Sequence, residues 1–153
     1  MNPLLLALIL SILPISELRG GMIYAFINGI DPYVAFLACT FANILIIFPV
    51  FFFLDFFHEK FMKISLYRKS FDYYIKRIRK KVDKFEKSFG IYGFFALFAF
   101  VAIPLPATGA WTGILVAWLL GLDRKKSIIA IVLGVLTAGI IVLLGLLGIA
   151  KII

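Results

Sequence analysis

Glu17 and Arg19 are the only charged residues among the first thirty, which are otherwise mostly apolar. They closely follow Pro14 and Ser16, residue types that interrupt one helix and start the next. Charged groups within an apolar segment are costly and usually functional. The planar guanidinium of Arg19 is suited to holding a phosphate, and Glu17 is a candidate carrier of a coupling proton if burial favours its neutral form.

The same two charges have a simpler interpretation, which is a solvated or paired group at a wet turn. Residues at i and i+2 do not face each other on a helix, so the sequence leaves open whether Glu17 and Arg19 pair with each other or act separately. Of the two interpretations we favour a function in binding or transport.

A second proline break lies 92 residues further along the chain, where Pro104 and Pro106 precede Thr108 and Gly109. At this offset the matched residues are Pro14 and Pro106, Ser16 and Thr108, Gly21 and Gly113, Ala25 and Ala117, Gly29 and Gly121, and Asp31 and Asp123. Each half therefore contains a short arm, a break, a small-residue helix, a Gly-x-Asp turn and a long helix. Chance similarity of two apolar segments is the alternative, but matched prolines and glycines favour an internal repeat.

The overall composition excludes a water-soluble domain. Of the 153 residues, 63% are hydrophobic and 16% are charged, whereas soluble domains average about 45–50% apolar and about 25% charged residues. Cys39 is the only cysteine, so the chain cannot form a disulfide framework or a cysteine metal site. We therefore expect an integral membrane protein built as one small helical bundle.

Two segments, 33–57 and 127–150, are long and apolar enough for transmembrane helices, which need about 20 residues. The uncharged run 91–122 is too long for one spanning helix, and two prolines interrupt it near its middle. Each of its arms is too short to cross a bilayer alone, so we expect a re-entrant hairpin. The run 1–30 is expected to form another, retained in the protein because it lacks a basic start and a cleavage pattern.

Basic residues are concentrated in two segments, 58–89 with 11 and 123–126 with 3 of the chain's 16. A hairpin over 91–122 places both segments on one side, as the positive-inside rule requires. We therefore predict a multi-pass protein of the cell membrane, with loop 58–89 in the cytoplasm and both termini outside. Apolar residues at three- and four-residue spacing in 66–89 predict an amphipathic helix on the anionic cytoplasmic leaflet.

The predicted fold is an all-α membrane protein, an inverted repeat of a re-entrant helical hairpin plus a transmembrane helix. Residues 1–153 form a single domain, in which the cytoplasmic amphipathic linker 58–89 separates the first repeat, 1–57, from the second, 90–150. Inverted repeats are common in secondary transporters, whose binding sites lie where broken helices meet.

Ser16 and Thr108 each stand where a helix N-cap is expected, so the N–H groups beyond them should point into the membrane interior. Two helix N-termini that approach from opposite faces favour a cavity for anions. The predicted substrate-binding residues are Ser16, Glu17, Arg19, Gly20, Asn43, Thr108, Gly109 and Trp111. The helix breaks are assigned to Pro14, Pro104 and Pro106.

No set of nucleophile, base and orienting residue is apparent, and no zinc signature, nucleophile elbow or phosphate-binding glycine loop occurs. His58 is the only histidine, so the chain cannot form a histidine cluster for a metal. We therefore expect no enzymatic activity, cofactor or metal ion. The basic helix lacks any supporting motif for nucleic acid, and membrane lipids are its expected partner.

The two break motifs, PISELRGG at 14–21 and PLPATGAWTG at 104–113, resemble signatures of the small multidrug export protein family. The resemblance covers nearly the whole chain, and that family is similar to the DedA, or VTT-domain, membrane superfamily. It implies two re-entrant hairpins and movement of polyprenyl phosphate or other lipids. The acidic and basic pair of DedA-like proteins is carried over to Glu17 and Arg19, whereas their second arginine has no clear match and Arg124 is the nearest basic residue.

Three functions follow from these observations. The first is a transporter of an amphipathic anion of the lipid-phosphate type, with proton coupling through Glu17. The second is an exporter of lipophilic cations, in which Glu17 holds the cation. The third is a non-transporting membrane scaffold that uses the basic helix. We favour the first, and a homodimer is one arrangement that would enclose its cavities.

Overall fold

The computed structural model describes residues 2–61, 63, 86–105 and 108–152, without the side chains of residues 59, 61 and 86–91. All regular elements in these ranges are helices, which confirms the predicted all-α class. The helices are α1 (Pro3–Ile12), α2 (Glu17–Ile27), α3 (Pro32–Leu45), α4 (Ile47–Phe61), α5 (Glu86–Ala102), α6 (Ala110–Leu119) and α7 (Arg124–Ala150).

Two helical stretches of the described chain are long and apolar enough to cross a membrane, as predicted. They are Pro32–His58, formed by α3 and most of α4, and Arg124–Ala150, which is α7. Each has 27 residues, and an 18-residue window within each has a mean hydropathy of 2.4 and 2.9, respectively. At 1.5 Å per residue each is about 40 Å long, against about 30 Å of hydrocarbon.

Both long stretches start with the same local chemistry, 92 residues apart. Asp31 Oδ1 accepts hydrogen bonds from the N–H groups of Tyr33 and Val34, and Asp123 Oδ1 accepts one from Lys126. Each aspartate thereby caps free N–H groups of the first turn. Gly29 and Gly121, with φ of +77° and +63°, adopt the left-handed conformation that ends the preceding short helix.

A kink divides the first long stretch between α3 and α4. Pro49 has no N–H group for the carbonyl of Leu45, and its ring crowds that carbonyl. The helix is therefore interrupted at Ile46, one residue after α3 ends.

The short helices are separated where the sequence places its prolines. α1 ends at Ile12 and α2 begins at Glu17, so the first break covers residues 13–16, whereas the second lies between α5 and α6 and covers 103–109. Pro106 and Ala107 lie outside the described residues, as does most of the predicted amphipathic helix 66–89. The described part of α5 starts at Glu86, before residue 91, and is helical through Gly90.

Helix α7 lies at the centre of the bundle, packed against α2, α3, α5 and α6. Small residues permit this close packing. A Cβ atom on Gly139 would lie 2.8 Å from Thr40 Oγ1 of α3, and one on Gly134 would lie 2.7 Å from Val101 Cβ of α5. Because α7 contacts α2, α5 and α6, it helps to position the helices that flank both breaks.

Candidate substrate site

The two helix breaks lie side by side around a shared cavity of about 370 Å³. Residues from both halves line it: Pro14, Ile15, Ser16, Glu17, Arg19, Gly20, Pro104 and Thr108. Five of the predicted substrate-binding residues therefore line one space. The other three, Asn43, Gly109 and Trp111, contact the walls of the same breaks, as the following contacts describe.

Glu17 reaches from the first break to the beginning of α6. Its carboxylate accepts a hydrogen bond of 3.2 Å from the backbone N–H of Trp111, and the side chain is buried. A Cβ atom on Gly109 would overlap this carboxylate and would lie only 2.6 Å from its Oε1 atom. The glycine therefore provides the space in which the carboxylate caps the positive end of α6.

The backbone of Glu17 is also unusual. Its φ of +49° is the only positive value at a non-glycine residue of the described chain. A glutamate in this conformation is strained by about 1–3 kcal/mol and persists only where surrounding contacts hold it. The contact of its carboxylate with α6 is one such constraint.

Arg19 binds the opposite side of the second break. Its NH1 group donates to the carbonyl of Leu105 and its NH2 group to the carbonyl of Thr108, with a longer contact of 3.4 Å to the carbonyl of Ile103. The remaining donor of the fork, Nε–H, is buried and has no partner among the described residues. The guanidinium thus adds charged hydrogen bonds to the carbonyls of the break, of which those of Ile103 and Leu105 also accept backbone N–H groups.

The first break receives the corresponding support from three other side chains. Ser16 Oγ donates to the carbonyl of Leu10 at 2.5 Å, and Asn43 Nδ2 donates to the carbonyl of Ser11 at 2.7 Å. Trp111 Nε1, from the second half, donates to the carbonyl of Ile12 at 2.8 Å.

Each half therefore satisfies the broken backbone of the other. Glu17 and Arg19 bind the second break, and Trp111 binds the first. Glu17 and Arg19 bind different backbone groups, and no hydrogen bond or ion pair joins them in the described part of the chain. Away from water an unsatisfied backbone group costs several kcal/mol, so these contacts stabilise both breaks.

The expectation that Ser16 and Thr108 cap the second arms is wrong. Ser16 makes no side-chain capping bond, since its hydroxyl donates backwards to α1. The residue at the N-cap position of α6 is Gly109, and Thr108 Oγ1 instead donates at 2.7 Å to the carbonyl of Ile103. In both breaks the hydroxyl satisfies the end of the first arm rather than the start of the second.

A second polar cluster, which the sequence did not reveal, joins α4 to the start of α7. Asp55 forms an ion pair with Arg124 and accepts a hydrogen bond of 2.9 Å from Trp118 Nε1. It is the only ion pair in the described ranges. The signal was available, because Asp55 is the only charge in 33–57 and Arg124 begins the other long helix. Arg124 is thus bound to Asp55 and lies apart from the breaks.

Trp111→Phe should destabilise the protein because it leaves the carbonyl of Ile12 without its partner. Because this hydrogen bond is exposed, its loss should cost about 0.5–1.5 kcal/mol in the free energy of unfolding. Thermal unfolding in detergent would measure this loss. Trp118→Phe is the matched control, since its partner Asp55 retains Arg124, and should cost less. Equal melting temperatures for Trp111→Phe and the unmodified protein would contradict the assignment.

The long apolar helices and the buried charged breaks define an integral membrane protein. Residues 17–141 match the family model described as "Putative small multi-drug export protein", and the chain belongs to that family. Comparison with curated proteins and with solved structures found no match. The match begins at Glu17, directly after the first break, and covers the second break, the first long stretch and most of α7, so the resemblance predicted from the break motifs is confirmed at the level of this family.

Proposed function

We propose that the protein moves an amphipathic anion of the lipid-phosphate type across the bilayer and binds its head group in the cavity between the two breaks. One observation carries this proposal. Arg19 lines the cavity with one donor, Nε–H, that has no partner among the described residues, whereas the carboxylate of Glu17 is engaged at α6. The cation of the cavity therefore has an unsatisfied donor.

A phosphate can compete effectively for this arginine. Hydrogen bonds from a guanidinium to an anion are roughly twice as strong as those between neutral groups. Because Nε–H is buried, an incoming phosphate would have to displace the carbonyl of Leu105 or Thr108 from the guanidinium before it could bind. Binding would thereby loosen the contact between the first half and the second break.

The proposed arrangement in the bilayer is an inverted repeat with two re-entrant hairpins. α1 and α2 contain 10 and 11 residues, and α6 contains 10. These lengths correspond to roughly 15–17 Å, half of the hydrocarbon thickness of about 30 Å. The basic segments 58–89 and 123–126 then lie in the cytoplasm, and both termini lie outside.

Glu17 is the proposed carrier of a coupling proton. It is the only carboxylate that lines the cavity in the described chain. Protonation would remove the negative charge that the N-terminus of α6 stabilises. It would therefore weaken the contact between Glu17 and the second break. Substrate binding at Arg19 and proton binding at Glu17 would thus act on the same pair of helix breaks.

Export of lipophilic cations is the second candidate, and the description of the family favours it. In that case the carboxylate of Glu17 would leave α6 and pair with the substrate. Substrate charge distinguishes the two candidates, since each relies on a different member of the charged pair.

A vesicle assay with two substrates tests the proposal. Protein reconstituted into liposomes should move labelled polyprenyl phosphate and should leave a lipophilic cationic dye untransported. Because Glu17→Gln retains the size of the side chain but removes its charge, it should abolish any dependence of anion transport on a proton gradient. Transport of the dye alone, with loss in Glu17→Gln, would instead support the cation exporter, and transport of neither would contradict both candidates.

A further inference from the structure

Three buried polar side chains lie together beside the first break, outside the lining of the substrate cavity. They are Ser11, near the end of α1, and Thr40 and Asn43 on α3; we call them the buried polar cluster, and none of them is more than 3% exposed. Thr40 and Asn43 also lie close to the middle of the long stretch Pro32–His58. The bilayer supplies no water at that depth, so these groups need partners inside the protein.

Two oxygen atoms of the cluster lack such a partner. Asn43 Nδ2 donates at 2.7 Å to the carbonyl of Ser11, but Asn43 Oδ1 and Thr40 Oγ1 are buried without a hydrogen bond among the described residues. Thr40 and Asn43 are three residues apart, so they share one face of α3 with their Cβ atoms roughly 5–6 Å apart. Buried polar groups are costly without partners, and two neighbouring unpaired oxygens indicate a bound ligand.

The end of α1 adds negative charge at the same place. α1 ends at Ile12, one residue beyond Ser11. The last carbonyls of a helix carry a partial negative charge, equivalent to roughly half an elementary charge. The carbonyl of Ser11 accepts from Asn43 and has a second lone pair to offer. Three oxygens with available lone pairs therefore meet at the negative end of a helix.

We propose that the buried polar cluster binds one sodium ion, coordinated by the Ser11 carbonyl, Thr40 Oγ1 and Asn43 Oδ1. Oxygen donors select a hard cation rather than a transition metal. None of the three side chains is a carboxylate, the ligand that calcium and magnesium require, so the site suits a monovalent ion. The negative end of α1 favours a cation over an uncharged water molecule.

This site goes beyond the proposed function, and it differs from the sequence-based expectation of no metal ion. That expectation depended on the lack of histidine and cysteine clusters. Hydroxyl, amide and carbonyl oxygens are common in any chain, so a sodium site made from them leaves no motif.

The packing around the cluster favours a small ion. A Cβ atom on Gly21 of α2 would overlap Ser11 Oγ, and one on Gly139 of α7 would lie 2.8 Å from Thr40 Oγ1. Helices α1, α2, α3 and α7 therefore approach closely around the cluster. Li⁺ should compete with Na⁺ for this site, whereas the larger K⁺ should bind weakly.

A bound Na⁺ would stabilise the first break. Ser16 and Trp111 already bind the carbonyls of Leu10 and Ile12 at the end of α1. The ion would bind the carbonyl of Ser11, which lies between them, and would attach it to α3. This role differs from that of the proton proposed at Glu17, which acts on the second break.

Thermal unfolding of the full chain in detergent tests the site, with the chlorides of Na⁺, K⁺ and choline compared at equal ionic strength. A ligand that binds only the folded protein stabilises it increasingly with concentration. Each tenfold increase in Na⁺ above its dissociation constant should raise the melting temperature by about 3–5 °C, whereas K⁺ and choline should have little effect. Equal melting temperatures in the three salts at every concentration would overturn the proposal and leave a buried water as the occupant.

Thr40→Val distinguishes ion binding from a structural role of the hydroxyl. Because this hydroxyl has no partner to lose, the variant should melt in choline at or above the temperature of the unmodified protein. The rise in melting temperature with Na⁺ should nevertheless disappear. Thr137→Val is the matched control, since that hydroxyl donates to the carbonyl of Leu133 within α7, and it should retain the full response. A full Na⁺ response in Thr40→Val would overturn the assignment.

Binding of labelled Na⁺ to the purified protein gives a second readout. It should saturate at one ion per chain and be displaced by unlabelled Na⁺ and Li⁺ but not by K⁺. Neither measurement involves transport, so the two proposals can fail separately. Sodium binding by a protein that moves no substrate would refute the proposed function alone, and transport by a protein that binds no Na⁺ would refute the sodium site alone.

Discussion

Arg19→Ala is expected to lower transport of labelled polyprenyl phosphate by about 100-fold, because loss of a buried charged hydrogen-bonding partner costs about 2–5 kcal/mol. The substitution removes the cation of the cavity and its hydrogen bonds to the carbonyls of Leu105 and Thr108. Initial rates in liposomes, normalised to the amount of folded protein, would measure the loss.

Two further variants separate charge from geometry. Arg19→Lys keeps the charge but cannot donate to Leu105 and Thr108 through one planar fork, so we expect partial activity. Lys125→Ala removes an exposed basic residue outside the cavity and should transport normally. Full activity of Arg19→Ala, in protein that elutes and melts like the unmodified chain, would refute the proposed role of Arg19.

Gly109→Ala should lower transport about tenfold or more, since the displaced charged hydrogen bonds are worth about 1.5–3 kcal/mol. The new Cβ atom would occupy the position of the Glu17 carboxylate and force it away from the beginning of α6. The substitution should therefore reproduce the effect of losing the glutamate, although the glutamate itself is unchanged.

A double-substitution cycle tests this explanation. In Glu17→Ala the space beside Gly109 is empty, so adding Gly109→Ala should cause little further loss. Gly145→Ala is the matched control, because a Cβ atom there meets nothing within 4 Å. If Gly109→Ala lowers transport by the same factor with and without Glu17, its effect does not depend on the carboxylate.

The long helices and the breaks could be predicted from local sequence signals. Uncharged runs of sufficient length define the two long helices, and prolines define the ends of α1 and α5. The offset of 92 also predicted matched Gly-x-Asp turns, and the aspartates of both turns, Asp31 and Asp123, cap the helices that follow. These features depend on neighbours within a few residues, which a single sequence displays directly.

The contacts between the halves could not be predicted in the same way. The sequence identified Glu17, Arg19 and Trp111, but their partners are backbone groups up to 99 residues away. Backbone groups are present at every position, so residue types carry no signal for which of them are free. The same limit explains why Ser16 and Thr108 appeared to be caps, since their hydroxyls can also donate to the preceding arm.

The orientation of the two hairpins is the claim on which the site depends, and cysteine labelling in sealed vesicles tests it most directly. In a Cys39→Ala background, single cysteines at Asn28, Lys63, Lys125 and Lys151 occupy exposed positions in or beside the turns and ends of the helices. A membrane-impermeant thiol reagent should reach Lys63→Cys and Lys125→Cys from one side, and Asn28→Cys and Lys151→Cys from the other. If the cysteines at 63 and 125 react from opposite sides, the segment that contains α5 and α6 crosses the membrane. The two breaks then do not enter the membrane from opposite faces.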